Sequence, residues 1–259
     1  MTGPVRPPLS NAEFVAWLSG EGEKRYHDRH PFHVRMHEGK LTREELQSWV
    51  QNRYYYQTRV PIKDAIILSK SEDPAFRRMW IQRIHDHDGD RPGEGGLALW
   101  LRLAEGVGLD PDEVARFAHV LPGVRFACDA YVQLVQKVTL VEAVASSLTE
   151  SFAPDLMSRR IAAWETHYPW VKPEVLEYFR TRVTRARRDS QQAIDFVCKG
   201  ATTYELQERC VAALVKKTEI LWHLLDCLVM PAPPAGLKEE RALPATGGGR
   251  RPQHTVTNP

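Results

Sequence analysis

The strongest candidate for chemistry in this 259-residue chain is a helix with polar groups on its core-facing side. With about 3.6 residues per turn, Arg53 and Tyr56 fall on the same side as Trp49 and Val60, and Gln57 lies one turn beyond Arg53. A core-facing guanidinium, phenol and amide are costly to bury unless a partner satisfies them. The stretch therefore predicts a ligand-binding site.

The last predicted helix places a cation in the middle of an apolar seam. Lys217 lies on the line of leucines that runs from Leu206 to Leu228. A buried ammonium needs an anion or loses its proton. Two interpretations stay open. Either Lys217 meets a carboxylate of a ligand, or its side chain snorkels to solvent or pairs with a glutamate such as Glu150.

Two further pairs of residues are four positions apart and so share a helix face: Arg83 with His87, and Tyr178 with Arg182. His87 has an unperturbed pKa of about 6.5, which suits proton transfer near neutral pH. A lone histidine is also often structural, and the arginine-rich helix around Arg182 is typical of a solvated face. Both pairs are candidates for a site, with these alternatives open.

Histidines cluster in two stretches and raise the question of a metal site. They are His27, His30, His33 and His37, followed later by His85 and His87. A carboxylate-bridged di-iron bundle needs Glu-x-x-His pairs, and neither that motif nor His-Glu-x-x-His occurs in the sequence. Haem ligation by a single histidine stays open. The prediction is that the protein uses no metal.

Composition excludes several classes of protein. A formal net charge of +2 argues against nucleic-acid binding through bulk electrostatics. No run of about 18 apolar residues predicts a membrane span, and the first residues lack the pattern of a signal peptide. The four cysteines show no Cys-x-x-Cys spacing, so we expect a reduced, cytoplasmic setting.

Helix starts and ends can be placed from capping residues. Ser10 or Asn11 could cap a first helix, and Thr42 with Glu45 predicts a capping box at the start of the helix that carries Arg53. Gly39 is expected to end a short helix that follows His30-Pro31, and Leu121-Pro-Gly123 is expected to break a helix.

Helix signals recur along the whole chain, and no strand alternation interrupts them, which predicts an all-α fold. Asp73-Pro74 opens a predicted helix that includes His87, a second apolar helix runs from Val124 to about Ser151, and a third opens at Pro173. The predicted domains are an irregular N-terminus (1–9), one all-α catalytic domain (10–230) and a Pro/Gly-rich flexible tail or linker (231–259).

Several segments, in order along the chain, resemble the pyrroloquinoline-quinone (PQQ) synthase family of the haem-oxygenase-like, TenA-like superfamily. The matching segments are YHDRHPFH (26–33), LTREELQSWVQNRYYYQTRVPIKDA (41–65), HDHDG (85–89), HVLPGVRFACDAY (119–131), SSLTESFAP (146–154), HYPW (167–170), KTEILW (217–222) and HTVT (254–257). The resemblance implies a compact seven-helix bundle and a homodimer. It also implies a cofactorless oxidase that uses molecular oxygen, without a metal.

The family's substrate is a bicyclic tricarboxylic quinoid precursor, AHQQ, whose ring closure and eight-electron oxidation give PQQ and hydrogen peroxide. By motif, the resemblance assigns His87 as general base or acid and Tyr178 and Arg182 to the oxygen or peroxide. Without a metal, side chains must remove the protons, a role for which His27 is the second candidate after His87. The residues that it implies for the substrate pocket are Tyr26, His27, Arg53, Tyr56, Gln57, Arg83, Tyr131, Glu150, Arg160 and Lys217.

One position departs from the family pattern, because Met157 stands where relatives carry a histidine near the oxygen site. A thioether cannot donate a hydrogen bond to a peroxide, so oxygen activation is expected to rely more on Tyr178 and Arg182, or to be slower. Two other functions stay open. A thiaminase-like hydrolase would need a cysteine nucleophile such as Cys128 or Cys210, and a carrier would bind PQQ or its precursor and pass it to another pathway protein.

Overall fold

The computed structural model of the protein describes residues 6–230. Within that range there are helices, turns and loops but no strand, which agrees with the predicted all-α class. The α-helices, in chain order, are α1 (Asn11–Arg25), α2 (Pro31–His37), α3 (Arg43–Ser69), α4 (Pro74–Trp80), α5 (Gln82–Asp88), α6 (Gly95–Gly106), α7 (Pro111–Ala115), α8 (Pro122–Lys137), α9 (Leu140–Ser146), α10 (Ala153–His167), α11 (Glu177–Gly200) and α12 (Tyr204–Val229). Three 3₁₀ segments join them, at His27–Arg29, Ser147–Phe152 and Pro173–Leu176.

The expected number of seven helices fits only the longer ones. Twelve α-helices lie within residues 6–230, and seven of them (α1, α3, α6, α8, α10, α11 and α12) have twelve or more residues. The other five have five to seven residues each. The short helices are the places where the chain bends between the long ones.

Helix starts follow the predicted capping chemistry. Thr42 caps α3: the Glu45 amide donates to the Thr42 hydroxyl at 3.2 Å, and the Thr42 amide donates to the Glu45 carboxylate at 2.8 Å. Ser10 caps α1 in the same way with Glu13. Gly39, with a φ of 71°, follows α2 as expected, because only glycine adopts that conformation without strain.

The apolar run from Val124 to about Ser151 was predicted as one helix, and that prediction is wrong. The run is divided among α8, α9 and the 3₁₀ segment Ser147–Phe152. α8 ends at Lys137, and Thr139 opens α9 with a capping box whose partner is Glu142. The break places the 3₁₀ segment, with Glu150, against α11.

Two other predicted helices are also interrupted. The helix from Asp73-Pro74 breaks at Ile81, where the Ile84 amide donates to the Ile81 carbonyl, a bond tighter than an α-helical one. The helix expected to open at Pro173 starts as a 3₁₀ turn, and α11 itself begins at Glu177. Pro122, expected to break a helix, is the first residue of α8, where its fixed φ suits a helix start.

α3 is the central helix, since it packs against α5, α6 and α8. Beside it, α11 packs on α10 and on the 3₁₀ segment before α10, while α12 packs on α1, α8 and α9. A group of large aromatic rings fills the core between α3, α6, α10 and α11. Ring centroids in this group are 5.4 to 6.4 Å apart, and its members are Trp49, Trp100, Trp164 and Phe179.

The described part of the chain up to Val229 belongs to one compact unit. The predicted tail (231–259) and the first five residues lie outside the described residues. None of the helices in residues 6–230 combines the length and apolar character needed to span a membrane.

Candidate functional site

The aromatic core supports one side of a polar cavity of about 580 Å³, mouth included. Its lining comes from eight parts of the chain, from the turn after α1 to α12. The lining residues are Tyr26, His27, Arg53, Tyr56, Gln57, Val60, His87, Trp100, Thr149, Glu150, Ala153, Met157, Arg160, Tyr178, Arg182 and Leu221. Ten of the thirteen residues predicted for the site are among them.

The other three predicted residues, Arg83, Tyr131 and Lys217, lie behind the lining. The Lys217 Nζ atom donates to the Tyr56 hydroxyl at 3.0 Å and sits 3.4 Å from the centroid of the Tyr131 ring. Arg83 bonds to Glu150. All three therefore reach the cavity through, or beside, a residue that lines it.

The polar stretch of α3 faces the cavity as the helical spacing predicted. The Arg53 guanidinium lies 4.0 Å above the Tyr56 ring, a cation–π contact that orients it. Gln57 accepts a hydrogen bond from the Tyr178 hydroxyl at 2.7 Å. Because Tyr178 also packs edge-on against Trp100, with centroids 4.7 Å apart, α3, α6 and α11 fix its position together.

Three cations at or near the cavity have a carboxylate partner, and we call them the paired cations: Lys63, Arg83 and Arg182. Their nitrogens lie 2.7 Å from Asp64, 2.5 Å from Glu150 and 3.7 Å from Asp189, respectively. All six side chains are largely buried.

Although burial opposes charge, nearby acidic groups raise the pKa of each paired cation above its ordinary value. The main contribution comes from Asp64 for Lys63, from Glu150 for Arg83, and from the Tyr178 phenol, ahead of Glu150 and Asp189, for Arg182. Burial would raise the pKa of Glu150, but Arg83 and Lys63 hold it at about 2. Glu150 is therefore ionised across the physiological range.

Three other cations, which we call the unpaired cations, are Arg53, Arg160 and Lys217; Arg160 and Lys217 are buried, and Arg53 is partly buried. Within residues 6–230, no carboxylate lies within ion-pair distance of any of them. Burial, followed by the charge of Arg53, lowers the pKa of Arg160 to about 9 and that of Lys217 well below 10.5. The Nη1 atom of Arg53 is buried and has no hydrogen-bond partner among the described residues. An anion is the partner that these groups lack.

His87 is oriented as a neutral acceptor. Its Nδ1 atom lies 3.0 Å from the Arg83 carbonyl, and since a carbonyl only accepts, Nδ1 carries the proton and Nε2 keeps its lone pair. Burial, followed by the Arg182 charge, lowers the pKa of His87 to about 3. The ring is therefore neutral at pH 7 and can accept a proton through Nε2.

His27 is the second predicted proton carrier. It is buried, lines the cavity, and has a pKa lowered well below 6.5, first by burial and then by Arg53 and Arg160. Its Nδ1 atom has no hydrogen-bond partner among the described residues. The second histidine stretch is divided: His87 lines the cavity, whereas His85 faces solvent and bonds to Asp90.

Sequence reasoning missed Lys63, Asp64 and Asp189. A signal existed for Lys63, because it is seven residues after Tyr56 and therefore lies on the same side of α3. The same signal existed for Asp189, which is seven residues after Arg182 on α11, but its arginine-rich stretch resembles a solvated face. Its other partner, Arg83, approaches it only in the folded bundle.

The thiaminase-like alternative has no cysteine nucleophile in the cavity. Cys128 and Cys210 are outside the cavity lining, and burial raises the pKa of each thiol to about 12, so neither is an activated nucleophile. All four cysteines are free thiols. Residues 6–230 contain no group of three or more histidine, cysteine or acidic side chains arranged to hold a metal ion.

Comparison with known proteins gives one consistent match in sequence. The chain matches the model of the TENA/THI-4/PQQC family over residues 19–227. It is 50% identical over 222 residues to pyrroloquinoline-quinone synthase of Pseudomonas syringae pv. tomato, covering 86% of this chain and 88% of the relative. The enzyme of the same name from Pseudomonas putida (strain W619) is 49% identical over 223 residues, with the same coverage.

Solved structures match in fold. A protein with a haem-oxygenase-like fold from Shewanella denitrificans superposes with a TM-score of 0.69 at 13% identity, over 85% of this chain and 92% of the other. A TenA homologue from P. syringae pv. tomato gives the same TM-score and identity, over 88% and 97%. At such low identity these structures establish the haem-oxygenase-like fold and nothing about activity.

Proposed function

The chain belongs to the TENA/THI-4/PQQC family, and from that membership and its cavity we propose that it is a pyrroloquinoline-quinone synthase. In this proposal it converts AHQQ, a bicyclic tricarboxylic quinoid precursor, to PQQ. The reaction closes a ring and removes eight electrons, with molecular oxygen as acceptor and hydrogen peroxide as product. The observation that carries the proposal is the set of three unpaired cations around one cavity.

The charge balance supports a tricarboxylate ligand. Six cations and three carboxylates lie in and behind the cavity, which leaves an excess of three positive charges when all are ionised. A ligand with three carboxylates neutralises that excess. Guanidinium groups such as those of Arg53 and Arg160 suit it further, because they bind carboxylates through two parallel hydrogen bonds.

His87 is the proposed base that removes protons from the substrate ring. Its Nε2 lone pair is available because Nδ1 is committed to the Arg83 carbonyl. The low pKa favours the neutral ring before the substrate binds, and the negative charge of the substrate then increases its basicity. His27, which also lines the cavity, is the proposed second proton carrier.

Tyr178 and Arg182 are the proposed partners of oxygen or peroxide. They lie one turn apart on α11 and both line the cavity. Burial raises the pKa of Tyr178, so the phenol stays protonated, and its proton must turn from Gln57 to be donated to oxygen or peroxide. The fixed guanidinium of Arg182 stabilises negative charge on reduced oxygen.

The remaining parts of the proposal concern assembly and setting. We propose that the protein acts as a homodimer in the cytoplasm, without a metal or organic cofactor, and contacts other proteins of PQQ biosynthesis. Light scattering on the purified chain tests the dimer. A mass corresponding to one chain would contradict it.

Anaerobic mixing with AHQQ followed by oxygen tests the reaction. Binding shifts the absorption spectrum of AHQQ before oxygen is admitted, and PQQ and hydrogen peroxide then form. A carrier would give the spectral shift without either product. A thiaminase-like hydrolase would cleave thiamine and leave AHQQ unchanged.

A chelator tests the cofactorless part of the proposal. Turnover is expected to be unaffected when the enzyme is treated with chelator and assayed without added metal. Loss of turnover that iron restores would contradict it, while leaving the identity of substrate and product intact.

A further inference from the structure

One buried histidine outside the cavity lining contacts an unpaired cation. The Nη2 atom of Arg160 lies 3.3 Å from Nε2 of His33, a residue of α2 that is almost completely buried. The other polar neighbour of the Arg160 guanidinium is the Met157 sulfur, 3.8 Å from Nη1. His33 is therefore the only strong hydrogen-bond acceptor that residues 6–230 offer to this guanidinium.

Two hydrogen bonds fix the tautomer of His33. Arginine only donates, so Nε2 must accept from Arg160. On the other side of the ring, Nδ1 lies 2.9 Å from the carbonyl oxygen of His27, which only accepts, so Nδ1 carries the proton. Burial, then the charge of Arg160, lowers the pKa of His33 well below 6.5. A neutral ring satisfies both neighbours.

A histidine at position 33 has a different effect on Arg160 from that of a carboxylate at the same place. Asp or Glu would hold the guanidinium equally well but would neutralise it, as Glu150 does for Arg83. A neutral imidazole acceptor fixes the orientation of Arg160 and leaves its charge available. Rings on either side assist, since the guanidinium lies 4.8 Å from the Trp49 centroid and 5.5 Å from that of Phe179.

We propose that His33 is a positioning residue for Arg160: its neutral imidazole orients the guanidinium into the cavity and preserves its charge for a carboxylate of the ligand. The proposal rests on the proposed function, since it assigns Arg160 a carboxylate of the substrate. His33 also couples two predicted site residues, because the backbone of His27 sets the ring that orients Arg160.

Three substitutions at His33 separate orientation from charge, with PQQ as the probe in a binding titration. His33→Gln keeps a neutral acceptor and is expected to bind PQQ within about threefold of the parent. His33→Leu removes the acceptor and is expected to weaken binding about tenfold, the worth of one hydrogen bond to a charged group. His33→Glu orients the guanidinium but neutralises it, and is expected to weaken binding about a hundredfold.

His37→Gln is the matched control, one turn further along α2 on a half-buried histidine outside the cavity lining. It is expected to bind PQQ like the parent. Equal losses for Gln, Leu and Glu at His33 would mean that any change disturbs the fold, and would overturn the proposal. Binding by His33→Glu as tight as by His33→Gln would overturn it as well.

Nitrogen NMR of the histidine-labelled protein tests the contact without any ligand. The expected spectrum gives His33 an unprotonated Nε2, whose resonance shifts in Arg160→Gln. A protonated Nε2 would overturn the proposal even if PQQ binds. If the parent fails to bind PQQ, the proposed function fails, and the tautomer alone then decides whether His33 orients Arg160.

Discussion

The two sets of cations differ in what the protein supplies to each. The paired cations each have a carboxylate within 4.0 Å, and their pKa values are raised. Two of the unpaired cations, Arg160 and Lys217, have lowered pKa values, first because of burial and then because of Arg53. Arg160 and Lys217 are as completely buried as Lys63 and Arg83, so the carboxylate makes the difference between these residues.

The difference separates groups that maintain the fold from groups available to bind a ligand. A buried ion pair is satisfied within the protein, and removing one partner leaves the other uncompensated. A buried cation without a carboxylate destabilises the ligand-free protein and gains its partner when an anion binds. Substitutions in the two sets should therefore have opposite effects on stability and on binding.

The largest effect on stability is expected for Lys63→Met. Lys63 donates to Ser147 at 3.0 Å and pairs with Asp64, which also accepts from the Trp80 indole at 3.0 Å. Loss of the ammonium leaves Asp64 buried and unpaired, so we expect the free energy of unfolding to fall by about 3–5 kcal/mol. Chemical denaturation measures it.

Two variants make the comparison specific. Lys216→Met removes an exposed lysine whose partner is Glu219, and should change the free energy of unfolding by less than about 0.5 kcal/mol. Adding Asp64→Asn to Lys63→Met removes the orphaned charge but keeps an acceptor for Trp80, and should recover most of the loss. No recovery would show that packing, and not the charge pair, accounts for the effect.

Arg53→Ala is expected to affect binding most and stability little. Arg53 is an unpaired cation that lines the cavity, so its removal should weaken binding of PQQ or AHQQ about a hundredfold. The bundle should keep its stability, since no ion pair within residues 6–230 is broken. Titration followed by denaturation of the same sample measures both quantities.

Arg59→Ala is the control on the same helix. Arg59 lies outside the cavity lining, 4.3 Å from the Tyr55 centroid and 3.6 Å from Asp129. The Arg59→Ala substitution should leave the affinity for PQQ and AHQQ unchanged. A collapse in stability with unchanged affinity in Arg53→Ala would identify Arg53 as a structural residue and remove it from the unpaired set.

Lys217→Met should stabilise the ligand-free protein while weakening binding. Its folded-state pKa is lowered by burial and then by Arg53, so the folded protein holds the Lys217 proton less tightly than the unfolded chain does. Burying the Lys217 charge therefore lowers the free energy of unfolding at low pH. This loss of stability shrinks as the pH rises above the folded-state pKa and is gone above about pH 10.4, the unperturbed lysine value. We expect a gain of about 1–2 kcal/mol at pH 7 that shrinks towards pH 10.

Calorimetry adds a second readout for Lys217. If a carboxylate of PQQ restores its proton, binding near pH 8 takes up protons, and the measured enthalpy depends on the ionisation enthalpy of the buffer. The dependence should diminish in Lys217→Met and persist in Lys216→Met. A stability loss in Lys217→Met, comparable to that of Lys63→Met, would erase the distinction between the two sets.

Local sequence signals predicted the helices and the cations, but not which cations are paired. The capping box at Thr42 and the spacing of Arg53, Tyr56 and Gln57 are local, and both were read correctly. Pairing depends on contacts such as Arg83 with Glu150, which are 67 residues apart. Glu150 was the suggested partner of Lys217, but in the structure it forms an ion pair with Arg83.

Helix breaks without proline or glycine were the other failure. α4 ends at Ile81, its C-cap, although no proline or glycine lies near that position. The apolar pattern after Val124 continues past Thr139, where one helix ends and the next begins. These breaks matter for function, because they aim His87 and Glu150 at the cavity. The spacing of apolar residues predicts that a stretch is helical. The position at which the helix axis changes direction depends on packing against α3 and α11, which that spacing does not show.

The smallest expected effect concerns Met157, which lies in the lining next to the unpaired Arg160. Its thioether accepts weakly and donates nothing, so peroxide there depends on Tyr178 and Arg182. In Met157→His a neutral imidazole adds one N–H donor, and we expect single-turnover oxidation to speed up by about two- to tenfold. Met157→Leu removes the sulfur without adding a donor and should leave the rate unchanged. Identical rates in the parent and Met157→His would mean that donors on α11 already suffice, and that this side of the cavity serves only to bind carboxylates.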